Sequence, residues 1–229
     1  MYNGETMKTW DWYTTEQKTK KQQKTKGTWD KGLDYETTYK MLKEKLNELR
    51  RKPFLYKKEK KKYAYLLVFL LQLRNGCRIW EAITGIINIC INLEDINWNE
   101  RVIIKVRTQK RKDGELRELI LPKCVNKNDI EIVKDEFIGI MNEVMNAETI
   151  DEKKKIRLKI VNRLGTWLSK NYGINSHSFR YAYITYLGEK GIPSQVLAKI
   201  TKHQNINYLE RYTQSKLGRE ILKDLGDIE

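Results

Sequence analysis

Residues 177–212 read HSFRYAYITYLGEKGIPSQVLAKITKHQNINYLERY, and both histidines of the chain fall inside them. His177 stands three residues before Arg180. Residues three apart share one face of a helix, so this pair can address one small anion together. His203 stands nine residues before Tyr212. Asn175 or Ser176 is placed to cap the helix that opens the stretch. Gly191 and Pro193 then separate it from a helix over 194–201, and 207–214 reads as a last short helical piece that presents Tyr212. Two imidazoles, a guanidinium and a phenol in one stretch predict a phosphoryl-transfer site with Tyr212 as its nucleophile.

Upstream, the periodicity is mostly helical. Residues 33–51 place Tyr39, Leu42, Leu46 and Leu49 on one stripe, and Pro53 ends that helix. A basic turn, Lys57 to Lys62, leads into YAYLLVFLLQL at 63–73, a run too short to cross a bilayer and apolar enough to be a buried helix. Asn75 and Gly76 stop it, and Arg78 opens a further helix, RIWEAITGII. Between Asn97 and Pro122 the period drops to two. Val102, Ile104 and Val106 alternate with polar or outward positions, 112–115 (KDGE) makes a turn, and 116–121 returns as a second strand. Residues 128–146 and 151–170 are two amphipathic helices, lined by Ile130, Val133, Phe137, Ile140 and Met141 in one and by Ile156, Ile160, Leu164, Trp167 and Leu168 in the other. These two offer core and nothing else. The expected fold is mainly α with a small antiparallel β-hairpin.

Composition narrows the partners. The 229 residues carry 45 Lys and Arg against 30 Asp and Glu, a net charge of +15, which points to a polyanion. The first 62 residues hold 18 basic and 9 acidic side chains, so the excess is densest there. Residues 1–28, with the run KTKKQQKTK at 18–26, are too polar to offset their ordering entropy and read as a basic flexible tail, broken only by Trp10, Trp12 and Tyr13. The hairpin carries Arg101, Lys105, Arg107, Lys110, Arg111 and Lys112, which suits a phosphate backbone; the alternative is a solvated edge hairpin kept from aggregating by its charges. Cys77, Cys90 and Cys124 lack metal-ligand spacing and read as reduced packing residues of an intracellular protein. No apolar signal segment opens the chain.

Cleaving a phosphodiester requires an in-line nucleophile, neutralisation of the charge on the non-bridging oxygens, and a proton for the leaving oxygen. Arginine suits the second task, because its planar fork grips phosphate oxygens and stays charged. Protonated Lys or His suits the third. The sequence offers Arg78 and Arg180 as clamps, Lys110 or Lys112 on the hairpin, His177, His203 and Tyr212. No carboxylate or His/Cys cluster has the spacing of a magnesium or zinc site, so the expected route is covalent, through a phosphotyrosine, with no metal and no cofactor.

These residues, in this order, resemble the tyrosine recombinase (integrase) family. The arginine motif after a Gly turn is NGCRIWEA, with Arg78 and Glu81; the hairpin lysine motif is TQKRKDGELRELILP, where Lys110 fits the strand-end position best. HSFR supplies His177 and Arg180, and KHQNINYLERY supplies His203 and Tyr212. Each motif alone is weak, Tyr212 being one of 13 tyrosines, but all stand in register over the last 150 or so residues. The resemblance implies that Tyr212 attacks a DNA phosphate to leave a 3′-phosphotyrosine and a free 5′-hydroxyl. It implies that Arg78 and Arg180 hold the phosphate, Lys110 protonates the leaving oxygen, His177 handles the tyrosine proton and His203 donates to the phosphate. Glu81 then orients the arginine-bearing helix.

By the same resemblance the partner is double-stranded DNA, bound by a homo-oligomer, dimer or tetramer, of a protein encoded by a virus or mobile element and acting inside the cell. Leu217, Ile221, Leu222 and Leu225 give the segment after Tyr212 a weak apolar face, which in many relatives packs on a neighbouring protomer. Residues 29–229 are expected to form the catalytic domain, without the separate core-binding domain that usually precedes it. Lys202 stands where relatives commonly have Gly, and Asn75 and Cys77 replace commoner Thr and Leu around the Gly turn. Two other readings are a nicking–closing enzyme resembling type IB topoisomerases and a non-catalytic DNA-binding protein on the same fold.

Overall fold

The apolar run at 63–73 forms the middle of a helix that is buried on nearly every side, so other elements must wrap it. The computed structural model describes residues 33–109 and 115–202. Its elements in chain order are α1 (Tyr35–Arg50), α2 (Lys57–Asn75), α3 (Ile79–Ile91), β1 (Ile103–Arg107), β2 (Leu116–Ile120), α4 (Lys127–Met145), α5 (Ile150–Tyr172), α6 (Ser176–Glu189) and α7 (Ser194–Thr201). Helices α1, α3, α4 and α6 and strand β2 all pack on α2; the hairpin lies on α3, and α5 on α3 and α4. Leu66, Phe69, Leu70, Leu71 and Leu73 on α2 are fully enclosed, each side chain contributing roughly 1.5–3 kcal/mol by leaving water. The mainly α fold with one antiparallel hairpin is as the sequence predicts.

Local signals set the helix ends. Asp34 caps α1 by accepting from Thr37 N at 2.7 Å, and the helix stops at Arg50, ahead of Pro53. Helix α4 begins one residue earlier than its apolar pattern suggests, because Asn126 and Asp129 form a reciprocal cap: Asp129 N donates to Asn126 Oδ1 at 3.1 Å, and Asn126 N to Asp129 Oδ2 at 2.7 Å. Helix α5 runs to Tyr172 before Gly173 closes it in the left-handed region. Asn175 caps α6, its Oδ1 accepting from His177 N at 2.9 Å.

In the hairpin β1 pairs antiparallel with β2, with Ile104 opposite Leu119 and Val106 opposite Arg117. Those four side chains face the core, so an arginine occupies an inward position of β2. Helix α4 also departs from the expectation that it offers core alone. Its Asp129 is buried and bound by Arg50, Nε to Oδ1 at 2.9 Å and Nη2 to Oδ2 at 2.5 Å, and by the Tyr63 hydroxyl at 2.5 Å. Apolar periodicity does not reveal such a brace, because its members lie far apart in the chain.

Cys77, Cys90 and Cys124 are free thiols; the first two are buried, and burial pushes both up to about 12, which keeps them protonated packing groups. Among the described residues no helix is long and apolar enough to cross a membrane. Several expectations lie outside the described residues: the basic tail at 1–28, Lys110, Arg111 and Lys112 in the hairpin turn, His203, Tyr212, and the segment with Leu217, Ile221, Leu222 and Leu225.

Candidate active site

The site is built where two helices end. Helix α2 finishes at Asn75, and Gly76 turns the chain with φ 55°. A Cβ at Gly76 would also lie 2.3 Å from Cδ1 of Tyr183 on α6, so both the backbone angle and the close ring require glycine here. Asn75 fastens this turn to the hairpin. Its Nδ2 donates to Ile120 O at 2.9 Å, and its Oδ1 accepts from Ile120 N at 2.8 Å. On the other side Gln72 Nε2 donates to Ser176 O at 2.9 Å, which sets the start of α6 against α2.

Arg78 follows the turn and is the N-cap of α3. Its backbone N–H donates to Glu81 Oε2 at 3.0 Å, and its guanidinium Nη1 reaches Glu81 Oε1 at 3.1 Å and Gln109 O at 3.0 Å. Gln109 precedes Lys110 in the chain, so the first motif arginine touches the residue next to the hairpin lysine. Glu81 is 1% exposed and accepts two further bonds, from Gln109 N at 2.9 Å and from Arg117 Nη1 at 3.1 Å. Burial by itself would raise the Glu81 pKa. Arg117 and Arg78, with the Arg78 N–H bond, outweigh it and hold the carboxyl below the usual carboxylate range. The carboxylate thus orients Arg78, caps α3 and anchors the hairpin at once.

Arg180, on the inward side of α6, is 3% exposed. Its Nη1 donates to Gly76 O and its Nη2 to Thr201 O, each at 2.6 Å. Arg117 makes a parallel pair of bonds, with Nη2 donating to Asn75 O at 2.8 Å and to Ile200 O at 3.2 Å. The final carbonyls of a helix have no partner within the helix and form the negative end of its dipole. Two guanidiniums therefore staple the C-terminal carbonyls of α2 and α7 together. Residue 76 is two positions from Arg78 and residue 201 two from His203, so Arg180 joins the segments that carry both. Burial, with Arg78 beside it, draws the Arg180 pKa below the usual arginine range, Arg117 adding to the effect.

Arg78, Glu81 and Arg180 are thus brought together in space. Arg117, which sequence reasoning passed over, joins them. The signal existed: in LRELI the alternation that buries Leu119 also turns residue 117 inward. His177 is placed differently from its helical partner. It stands exposed in the first turn of α6, its ring edge-on to Tyr181 with centroids 5.8 Å apart, while Arg180 is buried. Of the hairpin cations, Arg101 is exposed ahead of β1, Lys105 is exposed opposite Glu118, and Arg107 is half-buried opposite Leu116. Lys202 has φ 56° and ψ 43°, so the position where relatives commonly have Gly is left-handed, and its Nζ lies 2.6 Å from Glu115 Oε1. Among the described residues no three His, Cys, Asp or Glu side chains gather as metal ligands would.

The phage integrase family model matches residues 40–219. An uncharacterized protein of Methanocaldococcus jannaschii is 61% identical over 223 residues, covering 97% of this chain and all of that one. A protein provisionally named an integrase in Acidianus two-tailed virus is 33% identical over 208 residues, covering 89% of this chain and 71% of its own. Among solved structures, the XerH site-specific recombinase bound to its difH substrate covers 89% of this chain at 16% identity and a TM-score of 0.45. The present chain spans 55% of that recombinase's length. The family match over most of the chain and the viral relative agree with the motifs around Gly76, Arg180 and Lys202: the chain belongs to the phage integrase, or tyrosine recombinase, family.

Proposed function

We propose that the protein is a site-specific DNA recombinase of the integrase kind, which breaks and rejoins strands through a 3′-phosphotyrosine on Tyr212. The observation that carries this is the convergence at Arg180. Its two carbonyl bonds draw the turn before Arg78 and the end of α7 before His203 onto one buried guanidinium. Among the described residues, Arg78, Arg117 and Arg180 gather about one carboxylate, Glu81, a local excess of positive charge suited to a phosphodiester. Family membership supports the same reading.

In this reaction Arg78 and Arg180 hold the non-bridging oxygens of the scissile phosphate. The Tyr212 oxygen attacks phosphorus in line as His177 takes its proton. The bond to the 5′-oxygen breaks, and Lys110 or Lys112 supplies the proton that oxygen needs, while His203 donates to the phosphate. The phosphotyrosine bond conserves the energy of the broken one, so a second 5′-hydroxyl can reverse the step and rejoin strands. Arg101, Lys105, Arg107, Arg111 and Lys112, with the basic run at 18–26, neutralise the duplex backbone. The protein works as a dimer or tetramer on double-stranded DNA within the cell; the viral relative supports an origin in a mobile element.

The test is a nicked suicide duplex that loses the leaving fragment after cleavage. The wild-type chain is expected to form a covalent protein–DNA adduct and Tyr212→Phe none. An adduct of equal yield with Tyr212→Phe would remove Tyr212 from its role. No adduct on any DNA the protein binds would reduce it to a binding module.

A further inference from the structure

Two polar contacts lace the returning strand of the hairpin to the end of α7. Lys202 Nζ lies 2.6 Å from Glu115 Oε1, and Arg117 Nη2 donates to Ile200 O at 3.2 Å. Residues 115 and 117 are thus fastened to residues 202 and 200, two points of attachment between the returning strand and the α7 end. Glu115 opens the described part of the returning segment, and its carbonyl accepts from Thr108 N at 2.9 Å, closing the base of the hairpin. Lys202 directly precedes His203.

Lys202 is the only non-glycine residue among the described ones with positive φ. Glycine enters that region freely and side chains with a Cβ do not. A lysine at this strained cap therefore calls for something that its ammonium group supplies. The pair is part-shielded, with side-chain exposures of 24% and 31%, unlike fully solvated surface pairs that contribute little. The strand it engages belongs to a two-stranded sheet, with no further strand among the described residues to fix its position.

We infer that Lys202 and Glu115, backed by Arg117, are positioning residues that clip the hairpin to the α7 end, so that the turn lysine and His203 reach one phosphate together. The clip rests on the function proposed above and adds to it a coupling between two segments that carry different proton donors. It acts through geometry, by holding the hairpin against the α7 end.

The experiment compares Lys202→Gly, Glu115→Gln and their combination in single-turnover cleavage of the suicide duplex, with thermal melting and amide exchange measured alongside. Lys202→Gly is expected to melt no lower than wild type, since it relieves the left-handed residue, yet to cleave roughly tenfold more slowly through loss of alignment. Glu115→Gln is expected to lose the same factor, although it makes the protein more basic and so does not weaken DNA binding. The double variant should lose no more than either single one, and the reversed pair Lys202→Glu with Glu115→Lys should recover rate. In Glu115→Gln the amides of Thr108 and of the α7 end should exchange faster together. Wild-type cleavage rates in either single variant, or losses that multiply in the double, would overturn the clip. Should the wild-type chain form no adduct, the functional reading fails while exchange still judges the clip: faster exchange at Thr108 without change at α7 would overturn it.

Discussion

Helix α2 meets two arginine–carboxylate clusters, one at Tyr63 in its first half and one at Asn75 at its end, about 18 Å apart along the axis at 1.5 Å per residue. Near its start, one guanidinium meets one carboxylate. Arg50 holds Asp129 by both oxygens, Tyr63 adds a hydroxyl and Asn126 a backbone N–H, so the charges balance. At its end, among the described residues, Arg78, Arg117 and Arg180 gather about Glu81. The pKa values follow the difference. Asp129 pushes the Arg50 guanidinium above the usual arginine range, whereas burial and neighbouring like charge draw Arg180 below it. A balanced cluster braces the fold. In the function proposed above, the unbalanced one holds positive charge in place for the scissile phosphate.

The sharpest way to break this contrast is to remove one guanidinium from each cluster. Arg180→Gln is expected to lower the rate of adduct formation by about a thousandfold, the loss typical of a donor aimed at developing oxyanion charge. Arg50→Gln should leave the rate of the folded fraction unchanged and lower unfolding free energy by about 3–5 kcal/mol, because Asp129 would stay buried without its cation. Urea unfolding and single-turnover cleavage on the same two proteins separate the outcomes. Equal rate losses in both variants would mean that the charge surplus does not mark the site.

Next in size is the turn between the arginines and α2. Gly76→Ala is expected to cost about 1–3 kcal/mol from crowding Tyr183, with roughly 1–2 kcal/mol more from the left-handed φ. Made in a Tyr183→Ala background, the same glycine substitution should cost only the backbone part, measured by urea unfolding of the double variant against Tyr183→Ala alone. A comparable glycine substitution at 139 meets nothing within 4 Å and serves as the control.

The difference between the two ends also explains what the sequence made legible. Bounds such as 194–201 for α7 followed from Pro193 and the apolar pattern, and the cap at Asn175 from a side chain next to its own target. Arg78, Glu81 and Arg180 stood out because motif spacing is short-range. Arg117 and Arg50 did not, since Arg117's partners and the groups that bury Arg50's charge lie 36 to 83 and 74 to 79 residues away, and a charged residue on a strand or helix reads as solvated until those partners are known. The left-handed Lys202 was likewise hidden: a Gly there would have announced the turn, whereas lysine conceals it.

The smallest expected effect lies in acid, and it tests the electrostatics of the unbalanced cluster directly. Glu81 has a pKa held below its ordinary value of 4.5 in the folded chain, so folding is linked to its ionisation. The sign follows from proton counts. Above 4.5 the carboxylate is ionised folded and unfolded, and its favourable interactions with Arg117 and Arg78 are fully present. As pH falls below 4.5 the unfolded chain takes up the proton first, so stability drains until pH passes the lower folded value. Glu81→Gln lacks this titration and leaves three guanidiniums without their carboxylate, so it is less stable than wild type near neutrality. The gap between the two proteins should therefore be widest at about pH 6 and narrow steadily towards about pH 3 in urea unfolding. Parallel curves over that range would mean that neither the arginines nor the N–H bonds hold the Glu81 carboxyl down in the folded chain.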